Sequence, residues 1–218
     1  DGLRALTQLD MVSKRTHELV AAQYRCWNEL VLPQLREHGI QFLKYNELSS
    51  KQFSTLDRFF AKHAYPILTP MAVDPSHPST RYHNRGNYLM SMLQRRSGPG
   101  PLTMFAVVQL PSVLPRLVPV AADDPPTFIF LEDAVAARLP DLFGGFEVQS
   151  STTFRITRDS DIELLDQEAD DMLRLIEARL RARQRGDAVR LEVVADADQR
   201  LVQEIIDSEE LKEGDHSS

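Results

Sequence analysis

The sequence predicts an α+β protein, with a helical front segment followed by a mixed, largely antiparallel sheet domain with packed helices. Two patterns point there. Apolar residues over 3–32 recur every three or four positions, the period of a helix, whereas several short runs beyond residue 85 alternate as strands do. A third observation excludes the main competitor. Strands and helices mix without the strand–helix repeat of a doubly wound parallel sheet.

The front helix is read over residues 3–32. Leu6, Leu9, Val12, Leu19, Tyr24, Trp27 and Leu30 or Val31 form its apolar stripe, and Lys14, Arg15, Glu18 and Arg25 its wet face. Pro33 is expected to end or kink it, and Gly39 to close the following turn. Such a helix needs partner helices, some of them expected ahead of Asp1. Residues 40–45 read as a short extended segment. Ser49 or Ser50 then caps a helix to about residue 62, with Phe53, Leu56, Phe59 and Phe60 on its apolar side. Pro66 and Pro70 open an irregular passage containing a short strand at 71–73.

Residues 88–93 and 102–110 read as a hairpin joined by RRSGPGP. A strand at 127–130 and a helix at 132–143, ended by Gly144 and Gly145, come next. Strands at 146–148 and 153–157 lead to a helix over 166–185, whose acidic start and arginine-rich end suit the helix dipole. A strand at 188–194, a helix at 198–206 and a frayed polar tail complete the chain. No internal repeat or low-complexity run interrupts this order.

Composition narrows the function classes. The chain has 218 residues, 42% hydrophobic and 26% charged, which suits a folded protein with a proper core. A net charge of −7 gives no global field for nucleic acid or an anionic membrane, so a polyanion site must be a local basic cluster. The most apolar region, 102–131, is broken by Pro111, Pro115, Pro119, Pro125 and Pro126, and no run reaches the about 20 residues of a membrane span. The single cysteine, Cys26, excludes an internal disulfide, fits a reducing compartment, and is expected to be a buried or half-buried apolar side chain beside Trp27. There is no signal-peptide pattern at Asp1. A soluble cytoplasmic protein is the expectation.

Catalytic motifs are sparse. SGPGP at 97–101 lacks a following lysine and a helix start, so it reads as a turn and not as a phosphate loop. GxGxxG, GxSxG and HExxH are absent. His77 and His83 share a proline-rich loop with Asp74, but without familiar ligand spacing, and that loop reads as a connection. His17 reads as solvated, and His38, His63 and His216 have no catalytic neighbour in sequence. The candidate anion contacts are Arg155 and Arg158 in FRITRD. Three apart on a strand, they point to opposite faces: Arg158 goes with Phe154 and Ile156, Arg155 with Thr157. They do not clamp one phosphate together unless the strand bends, and ion pairs with Asp159, Asp161 or Glu163 compete. Arg179, Arg181, Arg183 and Arg185 read as a solvated helix end.

Six pieces in order carry a family resemblance. They are DGL at 1–3 with Leu6, ILTPMAVDPSHP at 67–78, FAVVQLPSVLPRLVPV at 105–120, FIFLEDAVAARLPDLFGGFEV at 128–148, FRITRDSDIELLDQEADDM at 154–172 and VRLEV at 189–193. Together they resemble bacterial polyphosphate kinase, from the end of its amino-terminal helical domain through its head domain. One stretch departs. After Pro78 the family tends to a phenylalanine–proline pair and an asparagine-containing strand. Here Ser79, Thr80, Arg81 and Tyr82 intervene, Gly86 stands where a larger apolar residue is usual, and Asn84 and Asn87 are the equivalents.

The resemblance implies a domain division of 1–50 (helical domain), 51–210 (head) and 211–218 (tail). It implies a parent phosphotransferase that moves the terminal phosphate of ATP reversibly onto inorganic polyphosphate through a phosphohistidine, with Mg²⁺. The family's catalytic histidines lie in two carboxy-terminal domains expected beyond this chain, and its adenine-contacting asparagine before it. No catalytic residue, metal site or cofactor is therefore expected in this chain alone, which is expected to be inactive; ATP and Mg²⁺ are implied for the parent. The implied partners are a second copy in a dimer, the parent's catalytic domains and inorganic polyphosphate, with no nucleic acid. The implied role is dimer contact and the wall of a polyphosphate tunnel, in the cytoplasm, with a peripheral membrane position open to the parent. The alternative is a free-standing, non-catalytic dimerising interaction or regulatory module derived from the head domain.

Overall fold

The computed structural model describes residues 4–73, 82–121, 125–159, 186–211 and 216–217. In chain order these form α1 (Ala5–Arg25), a wide π turn (Cys26–Val31), α2 (Leu32–Glu37), β1 (Gln41–Phe42), α3 (Ser50–Phe59, extended by a π turn Phe60–Ala64) and β2 (Pro70–Val73). Then come β3 (Asn87–Arg95), β4 (Thr103–Leu110), β5 (Leu117–Ala121), β6 (Thr127–Phe130), α4 (Leu131–Ala136) and α5 (Leu139–Leu142). The last elements are β7 (Phe146–Arg158), β8 (Ala188–Val193), α6 (Gln199–Ser208) and β9 (His216–Ser217). The α+β expectation holds. The expected helix at 166–185, its four arginines, and Asp74 and His77 lie outside the described residues.

The chain divides into two compact units, Asp1–Ala64 with Pro115–Val135, and Tyr65–Leu114 with Ala136–Ser218. In the first, Pro33 does not end the front helix. Proline has no N–H to donate and its ring crowds the carbonyl four residues back. The backbone accommodates it by widening just before: Leu32 N–H donates to Trp27 O, five residues away, and helical geometry continues to Glu37. Much of the expected apolar stripe stands in solvent, with Leu9, Val12 and Leu19 each more than half exposed. Cys26 is likewise exposed, contrary to the sequence expectation, while Trp27 beside it is half-buried with its ring edge-on to Phe42.

A small sheet, ordered β1-β6-β5, completes this unit. β1 runs parallel to β6, and β5 antiparallel to it. One face buries Val118, Val120 and Ile129; α3 packs on β5 and buries Leu56 and Phe60. The other face carries Phe42 against Phe128 and Phe130. α3 starts where expected: Ser49 accepts from Gln52 N–H, and the Gln52 side chain accepts from Ser49 N–H at 2.9 Å. Two carboxylates of the first turn of α4 are held by cations, Asp133 by Lys44 at 3.0 Å and Glu132 by Arg116 at 2.9 Å.

The second unit is a six-stranded sheet ordered β2-β4-β3-β7-β8-β9, antiparallel except for the short β8–β9 pair. β3 is central and buried on both sides from Tyr88 to Leu93. One side, with Tyr88, Met90, Phe154, Ile156 and Leu191, is covered by Leu201, Val202 and Ile205 of α6. At about 25 cal/mol per Å² of apolar surface removed from water, burying three such side chains stabilises α6 on the sheet by several kcal/mol. α6 is capped by Asp198, which accepts from Arg200 N–H at 3.0 Å. The hairpin turn between β3 and β4 forms as expected, with positive φ at Gly98 and Gly100.

Candidate functional site

β7 carries both candidate arginines, on opposite faces. Arg155 pairs in register with Glu192 of β8, and Thr157 with Arg190. The pairing shifts after Thr157, so that Arg158 aligns with Ala188. Arg158 keeps to the side of Phe154 and Ile156, as expected from alternation, and is buried with them. The strand does not bring the two guanidinium groups together.

Arg155 lies on the more open side. Its Nε and Nη2 donate to the two carboxylate oxygens of Glu192 at 2.8 and 2.9 Å, and Arg190 reaches the same carboxylate at 3.3 Å. Partial burial pushes the Glu192 carboxyl up, but the hydrogen bonds and charge of Arg155, with the charge of Arg190, outweigh it and hold the group below its ordinary value. Two guanidinium groups thus converge on the one Glu192 carboxylate. The Arg155 side chain is 41% exposed, so an anion can approach it.

Arg158 is the hub of a clasp. Its Nη2 donates to Glu209 Oε2 at 2.5 Å, its Nε to Tyr82 O at 2.8 Å and its Nη1 to Gly186 O at 3.2 Å. Its backbone N–H donates to Asn84 Oδ1 at 3.0 Å, and Tyr82 N–H donates to the other Glu209 oxygen at 3.4 Å. The acid that Arg158 binds is thus 51 positions away. No spacing signal points to Glu209. Only the sheet order, which seats α6 over β7 and β3, brings it there.

The loop held by this clasp explains an irregularity of the sequence. Arg85 adopts φ +59° and donates its N–H to Ile156 O at 2.7 Å, folding the loop back over β7. The Tyr88 hydroxyl accepts from His83 N–H at 2.8 Å, which lays the ring against Gly86. A Cβ at 86 would stand 2.8 Å from that ring, so the place of a larger residue is taken by Tyr88. Tyr82 packs edge-on to Phe154 with ring centroids 4.8 Å apart. Burial, then the charge of Glu209, pushes the Tyr82 hydroxyl well above its ordinary value.

The Mg²⁺ implied by the resemblance finds no fit among the described residues. No three His, Cys, Asp or Glu side chains come together there to hold a metal ion. No helix among them is long and apolar enough to cross a membrane.

The family model described as the polyphosphate kinase middle domain matches residues 51–217, and the one described as the polyphosphate kinase N-terminal domain matches residues 1–43. Polyphosphate kinase of Halalkalibacterium halodurans is 40% identical over 193 residues, covering 88% of this chain and 27% of that protein. Polyphosphate kinase of Streptomyces coelicolor is 35% identical over 214 residues, covering 98% and 28%. The crystal structure of polyphosphate kinase from Porphyromonas gingivalis superposes with a TM-score of 0.73 at 23% identity, over 97% of this chain and 31% of that one, a likeness of fold. The chain therefore spans less than a third of the length of these relatives.

Proposed function

The chain belongs to the polyphosphate kinase family, and on that premise we propose that it serves as the head region and adjoining helix of an enzyme that reversibly transfers the terminal phosphate of ATP to inorganic polyphosphate. The observation that carries this reading is the ordered match of the family's N-terminal and middle domain models across residues 1–43 and 51–217. In this reading the chain supplies architecture: a dimer contact and part of the wall along which polyphosphate passes. The phosphohistidine chemistry, with ATP and Mg²⁺, belongs to other domains of the parent, and no step of it is assigned to a residue here. The exposed Leu9, Val12 and Leu19 support a role for α1 as a surface covered in the assembled enzyme.

Arg155 takes the anion-contacting role. A phosphate oxygen can accept from its exposed edge while Glu192 keeps the guanidinium oriented. Arg158 acts from the opposite face by holding the 82–88 loop and the end of β7 in place. The test is steady-state polyphosphate synthesis by the parent protein. Arg155→Ala raises the KM for a polyphosphate primer several-fold and leaves the KM for ATP within twofold. An unchanged primer KM refutes the contact; absence of ATP-dependent synthesis by the unmodified parent refutes the functional reading itself.

A further inference from the structure

The outer face of α3 carries a line of cations that the preceding account does not use. Lys51, Arg58 and Lys62 follow one another at intervals of seven and four residues, which places them along one side of a helix over about 16 Å of axis. All three are exposed, and they stand opposite Leu56, Phe60 and Ala64, the buried side of the same helix. Lys44, Arg116, Arg155 and Arg158 each hold a carboxylate, but these three hold none among the described residues. Asp57, the one carboxylate of α3, projects about 100° around the helix from Arg58.

This arrangement works against the helix that bears it. Lys51 sits in the first turn, where the dipole disfavours a cation. Arg58 and Lys62 are like charges four apart, which repel. A chain of net charge −7 has acids enough to neutralise such positions, yet the sequence keeps three cations in line. Local rules broken without local gain mark functional surfaces.

We propose that this face of α3 is a docking strip for an extended inorganic polyphosphate chain. The proposal rests on the polyphosphate kinase reading for the identity of the anion. The strip's own geometry sets the class of ligand. Its charges are strung along a line and do not converge, so it suits a linear polyanion rather than a single phosphate or a nucleotide. Between Lys51 and Lys62 it presents no exposed Phe, Tyr or Trp for stacking bases, which disfavours single-stranded nucleic acid. Its only apolar member is the small Ala61, which gives a lipid surface nothing to anchor.

Binding of a fluorescent long-chain polyphosphate to the purified protein, followed by anisotropy over a range of salt, tests this. The triple variant Lys51→Glu/Arg58→Glu/Lys62→Glu is compared with Lys14→Glu/Arg25→Glu/Arg36→Glu, which makes the same charge change on the exposed front helix. The α3 variant is expected to bind at least tenfold more weakly, with a logarithmic salt slope flatter by about 2, as loss of three ionic contacts to a single strand predicts. The front-helix variant stays within threefold of the unmodified protein. Circular dichroism checks folding, and the milder Lys51→Gln/Arg58→Gln/Lys62→Gln variant serves if the glutamates unfold α3. Equal losses in both variants, no loss in either, or no binding by the unmodified protein overturn the strip. So does equally tight binding of single-stranded DNA or anionic vesicles. None of these outcomes touches ATP-dependent synthesis by the parent, so the two readings fail separately.

Discussion

Arg158 and Glu209 form an ion pair whose side chains are only 2% and 4% exposed, joining the end of β7 to the residue just after α6. Removing two charges from water is expensive, and the pair persists because the remaining donors are satisfied by Tyr82 O and Gly186 O. Three chain segments distant in sequence are thereby locked at one point.

Breaking that pair from one side leaves an uncompensated buried charge. Arg158→Met is expected to destabilise the sheet unit by about 3–5 kcal/mol in urea unfolding. Adding Glu209→Gln should recover a large part of the loss, because the orphaned carboxylate is then gone. Near-ultraviolet dichroism of Tyr82 and Tyr88 reports on this unit; the single tryptophan, Trp27, lies in the other. Additive losses in the double variant would contradict the pairing.

The Arg155–Glu192 pair predicts an acid-side dependence. The Glu192 carboxyl is held below its ordinary value near 4.5, so the folded state binds its proton more weakly than the unfolded chain. Its stabilisation is complete above that value and disappears as the pH falls through the depressed one. Glu192→Gln should therefore cost about 0.5–1 kcal/mol at pH 7, a small amount because Arg155 is 41% exposed and screened by solvent. The gap should narrow as the pH falls below that ordinary value and vanish once the folded-state carboxyl is protonated. A gap that does not change with pH would show that packing, not charge, is responsible.

Gly86 is expected to resist substitution although it lies in a loop. A methyl group there meets the Tyr88 ring at 2.8 Å and the His83 carbonyl at 3.2 Å. Gly86→Ala should cost about 1–3 kcal/mol through displacement of Tyr88. Thermal unfolding of the single variant beside Gly86→Ala/Tyr88→Leu checks the cause: with the ring gone, the alanine should be nearly neutral relative to Tyr88→Leu alone.

Docking of α6 rests on a few side chains. Ile205 is fully buried against the core that includes Met90 and Leu191. Ile205→Ala should lower stability by about 2–5 kcal/mol, whereas Gln203→Ala on the exposed side should change it by under about 0.5 kcal/mol. Comparable losses at both positions would contradict the placement of the helix.

Much of this architecture could be read from the residues. The hairpin, the capped start of α3, β6 and α6 emerge at or near their expected positions because period, cap and turn chemistry agree there. Where the structure differs, the cause is physical. The strands expected at 146–148 and 153–157 are one strand of 13 residues, because the polar run between them stays paired to β3 through Ser150, Ser151 and Thr152. β5 is not expected from the sequence, since it contains Pro119, which is tolerated at the edge of its sheet beside an irregularity in pairing. The expected helix at 132–143 is two short ones, since Pro140 cannot donate to the preceding turn. At the candidate site, alternation placed Arg155 and Arg158 on opposite faces, but no local pattern announces Glu209 or Glu192. Both partners arrive through tertiary pairing.

The central claim is that this chain is the architectural part of a polyphosphate kinase and that catalysis lies elsewhere in the parent. Its most direct test is ATP-dependent polyphosphate formation by the purified 218-residue chain, side by side with the parent protein. The account predicts synthesis by the parent and none by the chain; turnover by the chain alone, in a preparation free of the parent, would contradict it.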